Sequence, residues 1–180
     1  MCKKIITSLF VSSVFASVAA PAFAVDTGTV TFTGKILADS CVVDVNGTAT
    51  TGTVTFNSLS QTAFGIDKQV GDSQSFAITL TDCDAAINNL NIKFDGTRIA
   101  GYDDQVLAPT GQAKNVGVRV LPEGSSSYVK FDGSDPEAAL NKANGQGVVF
   151  NYKAEVIQVG SDLPTVGDYT TQATYTLIYR

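Results

Sequence analysis

Polar and apolar positions alternate along most of this chain. In residues 25–36, VDTGTVTFTGKI, the even positions from Gly28 onward are Gly28, Val30, Phe32, Gly34 and Ile36. The odd positions from Thr27 to Lys35 are all Thr or Lys. A period of two is the pattern of a strand with one buried face. The same period recurs with Phe76, Ile78 and Leu80, and with Leu90, Ile92 and Phe94, the latter stopping at Asp95-Gly96. Val116, Val118 and Val120 alternate up to Pro122, and Val148, Phe150, Tyr152, Ala154 and Val156 predict a long strand. Shorter runs at 36–45, 53–56 and 128–131 predict three more. The first ends at the turn dipeptide Asn46-Gly47 and the last at Asp132-Gly133. A final strand begins after Gly167 and runs to Arg180.

One segment reads as helix. Asp135-Pro136-Glu137-Ala138-Ala139-Leu140 offers an N-cap, a proline in the first turn and good helix formers, and predicts one or two turns. The weakly patterned stretch 84–89 has room for another turn. Short alternating runs between regular turn signals predict an all-β antiparallel sandwich.

The first 24 residues stand apart from this pattern. Lys3 and Lys4 precede an apolar stretch that ends in Pro21-Ala22-Phe23-Ala24, with small residues at −3 and −1 of a cut between Ala24 and Val25. That is the form of a secretory signal peptide. Its removal takes Cys2 with it and leaves Cys41 and Cys83, which in a secreted chain predict one disulfide. It also takes the formal net charge from −5 to −7. So acidic a surface disfavours nucleic acid and anionic membranes as partners. No later apolar run is long enough to span a bilayer, so the mature chain is not expected to be membrane-embedded.

Catalytic chemistry finds little support. The chain has no histidine, which removes Ser-His-Asp and Cys-His catalysis and the usual zinc sites. Asp82 with Asp84 and Asp103 with Asp104 are carboxylate pairs, but acids between strands read as solvated turns. No glycine-rich run follows a strand and opens a helix, so no phosphate loop is indicated. No enzyme activity, metal or cofactor is expected.

The two ends carry the informative features. In GDYTTQATYTLIYR, Tyr169, Thr171, Ala173, Tyr175, Leu177 and Tyr179 share one face. From Tyr169 the strand has no charge, proline or bulge signal before Arg180 to protect it as an edge. Two readings of 25–36 follow from pattern alone. It is the first strand of its own sandwich, or it is donated to an unfilled sandwich in another copy by β-strand addition.

At this point the chain resembles the major subunits of type 1 fimbriae, the pilins of the chaperone–usher pathway. The resemblance rests on GTVTFTGKI leading to Cys41, SFAITLTDCD around Cys83, NVGVRVL at 115–121 and VVFNYKAEVIQ at 148–158. It extends to Gly167, fourteenth from the end, and the penultimate Tyr179. It implies an incomplete immunoglobulin-like sandwich, the six-stranded pilin fold, with an N-terminal donor strand. The implied organisation is a signal peptide at 1–24, a donor extension at 25–35 and a pilin domain at 36–180. It further implies a Cys41–Cys83 disulfide, Val30 and Phe32 as pocket-filling donor residues, and Gly28 as the small donor residue where exchange begins. The strand from Gly167 to Tyr179 would pair first with a periplasmic chaperone and then, at an outer-membrane usher, with the next subunit. The function implied is a structural subunit of a surface fimbria that supports cell adhesion. A minor or adaptor pilin is the alternative within the pathway. A self-contained secreted sandwich that binds carbohydrate or protein is the alternative outside it, and would need a solvent-facing aromatic cluster.

Overall fold

A computed structural model describes residues 28–34, 41–136, 140–141 and 147–179. The expected signal peptide, its cut between Ala24 and Val25, and residues 35–40 lie outside the described residues. Two bodies separate by contact, Met1–Lys35 and Ile36–Arg180. In the first, residues 28–34 carry no helix, strand or turn, and every one of them is exposed. Over 28–34 the alternation is therefore not expressed as a strand.

The second body is an antiparallel sandwich. Its strands are β1 (Val42–Val45), β2 (Val70–Thr81), β3 (Asn89–Gly96), β4 (Thr110–Gly111), β5 (Val116–Pro122), β6 (Leu140–Asn141), β7 (Val148–Gln158), β8 (Tyr169–Thr170) and β9 (Ala173–Tyr179). One sheet has the order β1-β2-β7-β5, a second β6-β3-β9, and β4 pairs with β8. The alternating apolar faces read from the sequence meet between the sheets. Ile78, Leu80, Leu90, Ile92, Phe94, Val118, Val120, Phe150, Tyr152 and Ala154 form one buried core with Phe131. The Phe94 ring stands edge-on to Tyr152 at 5.4 Å and to Phe131 at 6.2 Å, an arrangement aromatic quadrupoles favour. Cys41 and Cys83 are joined, tying the start of β1 to the turn after β2.

Four expectations are corrected. Residues 53–56 form no strand, although Val54 and Phe56 are half-buried and their neighbours exposed, so the alternation survives without a ladder. Residues 128–131 form no regular strand; they lie beside β5, with the Val129 N–H donating to the Val120 carbonyl at 2.8 Å. Leu140, expected in a helix, sits in β6 opposite Leu90 of β3, where pairing with a sheet edge outweighs weak local helix propensity; 137–139 lie outside the described residues. The expected single last strand is two, β8 and β9. Its partner is interrupted: β3 ends at Gly96, and an excursion over 97–108, closed by Ala108 N–H to the Thr97 carbonyl at 2.8 Å, intervenes before β4. The last strand follows its partner, pairing with β3 over 173–179 and with β4 over 169–170.

Candidate functional site

A sandwich built this way has edges, and they are not treated alike. The free side of β5 is covered: Leu107 and Val118 exchange N–H···O bonds of 2.8 and 3.3 Å, and Val129 bonds to Val120. The edge strand β9 differs. It pairs with β3 on one side, and among the described residues no strand pairs with its other side. Seven residues of backbone are thus available to a further strand.

Facing that edge is the segment 50–56, which follows the Asn46-Gly47 turn. The Tyr175 hydroxyl donates to the Thr50 carbonyl at 2.7 Å, and the rings of Phe56 and Tyr169 lie 6.5 Å apart. The two segments therefore bound a seam along one side of the sandwich. Val54, Phe56, Tyr169, Tyr175, Leu177 and Tyr179 are half-buried along it and pack against the core. Neither 50–56 nor 173–179 contains a charged residue. A seam with apolar walls, core at its floor and one unpaired backbone edge can accept an extended apolar strand. It offers no acid–base pair and no nucleophile. Burial raises the pKa of the Tyr169 and Tyr175 hydroxyls above the usual tyrosine value, so both stay neutral at physiological pH.

The residues singled out on the last strand are only partly brought together. Tyr175, Leu177 and Tyr179 share the half-buried face of β9, and Tyr169 continues it in β8. Ala173 begins β9 but is exposed, and Thr171 falls in the break, where its hydroxyl donates to the Ala108 carbonyl at 3.2 Å. Gly167 lies before the strand with φ +144°, and a Cβ there would stand 2.6 Å from the Gln112 side chain and 2.9 Å from Ala113 N. Glycine permits the close approach that lets the Gln112 and Ala113 N–H groups donate to the Asp168 carbonyl, at 2.9 and 3.2 Å, and so anchors the foot of the seam. The wall at 50–56 was not identified from sequence as part of a site; only the alternation of Val54 and Phe56 signalled it.

At the other end of the chain, Val30 and Phe32 are 74% and 91% exposed, and Gly28 has open space around it. The carboxylate pairs lie in turns: Asp82, Asp103 and Asp104 all have positive φ, a conformation Asp tolerates. Among the described residues no three metal-binding side chains converge. No helix among them is long and apolar enough to cross a membrane.

Comparison with known proteins agrees with this geometry. The chain is 29% identical over 184 residues to the type-1 fimbrial protein A chain of Escherichia coli (strain K12), covering 98% of this chain and 95% of that one. Among solved structures, a subunit of a chaperone–usher pilus superposes with a TM-score of 0.64 at 23% identity, over 89% of this chain and all of that one. The P pilus rod subunit superposes at 0.60 with 22% identity, over 79% of this chain and all of that one. These neighbours make the sandwich an immunoglobulin-like pilin fold. Residues 30–180 match the model of the family described as fimbrial protein, so the chain belongs to that family and is a fimbrial subunit.

Proposed function

We propose that this fimbrial subunit polymerises by donor-strand exchange. In that reading 1–24 is a signal peptide, 25–35 the donor extension and 36–180 the pilin domain. A periplasmic chaperone holds the seam along β9 until an outer-membrane usher exchanges it for the extension of the next copy, and the fibre is displayed at the cell surface. Gly28, Val30 and Phe32 face the neighbour's core, and Thr29, Thr31 and Thr33 face water. The protein's role is structural, and no catalytic residue is assigned.

One observation carries the proposal. The chain combines an uncharged seam with a strand edge that is unpaired among the described residues and a segment whose Val30 and Phe32 lie exposed. Each half supplies what the other lacks. Full burial of each of those side chains is worth roughly 1.5–3 kcal/mol, and a new ladder along β9 satisfies backbone groups that otherwise bond only water. The test is deletion of residues 25–33 from the full chain. The variant is expected to co-purify with its chaperone and to form no fibres; normal fibres from the deleted chain would overturn the assignment.

A further inference from the structure

The excursion 97–108 folds onto the outer face of the four-stranded sheet. Gly117, which alternates with the buried Val116 and Val118, makes room for it: a Cβ there would stand 2.5 Å from Val106 Cγ1 and 3.1 Å from Ile99 Cδ1. The tip of the excursion is tied down by Tyr102, whose hydroxyl donates to Asp67 Oδ1 at 2.5 Å and accepts from the Gly160 N–H at 2.8 Å. Between this tip, the turn at Lys68 and Tyr128 lies a cavity of about 140 Å³. Val106 and Ile157 are its buried lining, and Lys68, Tyr102, Asp103, Gln105, Arg119 and Tyr128 surround them. Two of these groups are aromatic rings, and each carries a cation on one face. Lys68 Nζ lies 5.5 Å from the Tyr102 centroid, and the Arg119 guanidinium 4.1 Å from that of Tyr128. Tyr102 and Tyr128 thus form an aromatic pair on the outside of the sandwich, which no alternation in the sequence announced.

We propose that this cavity binds a single sugar ring that carries one carboxylate. Arg119 is the main reason. Its Nε donates to Glu155 at 2.9 Å, and among the described residues its two Nη groups donate to no protein acceptor. The side chain is only 14% exposed, and the ion pair and the ring stack together fix it. A guanidinium held in this way presents a fork already set for a carboxylate, which it takes with two parallel N–H···O bonds. Lys68 makes no salt bridge among the described residues and adds a second positive charge at the mouth. Its φ of +64° is a conformation few side chains other than Asn and Asp adopt, and strain of that kind gathers at binding sites. The exposed Asp103 carboxylate and the Gln105 amide supply partners for ring hydroxyls. The tyrosine rings suit the apolar C–H face of a pyranose. Asp103 also repels a second negative charge, so one carboxylate fits better than a phosphate. The size limits the ligand to one ring, since pockets for larger ligands begin at about 300 Å³. The negative net charge of the chain does not decide the matter, because at physiological salt charges beyond about 8 Å are screened and these groups meet the ligand directly. The inference stands on the fold of the pilin domain and is independent of donor-strand exchange.

The test uses fibres purified from cells that express the full chain. They are titrated with D-glucuronate and followed by saturation-transfer NMR, with D-glucose as the same ring without the carboxylate. Saturable binding of glucuronate is expected at about 1 mM, as for a ligand of this size, and glucose is expected to bind about tenfold more weakly or less. Lys68→Asn removes the charge and keeps a residue that tolerates the left-handed turn, and is expected to weaken glucuronate about threefold. Arg119→Lys keeps the charge but loses the fork, and is expected to weaken it about tenfold. Fibre assembly reports whether each variant folds. If Arg119→Lys forms no fibres, Lys68→Asn and Gln105→Ala decide, each expected to weaken glucuronate about threefold. No saturable binding of glucuronate, equal binding of the two sugars, or unchanged affinity in the variants that assemble would each overturn the proposal.

Discussion

The Tyr175 hydroxyl and the Thr50 carbonyl, 125 positions apart, are joined by a 2.7 Å hydrogen bond that bridges the open seam of the sandwich. The ring of Tyr175 packs on the core while its oxygen reaches the opposite wall. A strand that enters between β9 and 50–56 has to part this bond. In partly exposed surroundings such a bond is worth about 0.5–1.5 kcal/mol net. Tyr175→Phe keeps the ring and removes the bond, so it is expected to take up a synthetic peptide of residues 25–36 about 2- to 10-fold faster than the parent chain. Stopped-flow fluorescence with a labelled peptide measures the rate. An unchanged rate would show that the bond is no barrier to entry.

The alternation of 25–36 makes a sharper demand, because only one face of a donated strand is buried. Phe32→Asp would place a carboxylate against an apolar floor with no partner, at a cost of several kcal/mol. Thr31→Asp would place the same charge in water. Fibre assembly, followed by electron microscopy and by loss of monomer, is expected to fall at least a hundredfold for Phe32→Asp and to stay within about threefold of the parent for Thr31→Asp. Equal behaviour of the two variants would remove the case for a buried face.

Much of the sandwich was legible because its signal is local. Val116, Val118 and Val120, or Phe76, Ile78 and Leu80, declare a face by spacing alone, and the Asn46-Gly47 turn ends β1 where its composition says it should, with φ of 54° and 77°. What was not legible depends on partners far along the chain. Residues 53–56 have the alternation of a strand but no ladder; across the seam Phe56 meets Tyr169 of β8 by its ring alone. The last strand breaks at 171–172 because its partner β3 is interrupted by the 97–108 excursion, a fact about another segment. Leu140 joins β3 for a similar reason: a free sheet edge was available to it. The seam was half visible from sequence, since Tyr175, Leu177 and Tyr179 lie at one parity, while its second wall emerged only when the fold brought Thr50 and Phe56 beside them.

The outer face of the four-stranded sheet holds a cluster that no sequence pattern announced. Glu155 is buried between Arg119, whose Nε donates to Oε2 at 2.9 Å, Lys153, whose Nζ lies 2.8 Å from Oε1, and Tyr128, whose hydroxyl donates to Oε2 at 3.2 Å. The Arg119 guanidinium also stacks 4.1 Å over the Tyr128 ring. Burial alone would raise the Glu155 pKa, but the hydrogen bonds and charges of Lys153 and Arg119 outweigh it and hold the carboxyl below its ordinary value. The folded value thus lies below the unfolded one. The group's stabilisation is present above the unfolded carboxylate value, about 4.3, and is lost as pH falls through the folded value. Glu155→Gln removes the charge and leaves Arg119 without its ionic partner, and is expected to cost about 1–3 kcal/mol at pH 7. The gap between parent and variant, read from urea midpoints, is expected to shrink steadily from pH 5 to pH 3. A gap of the same size at every pH would mean that Glu155 acts through packing, not charge.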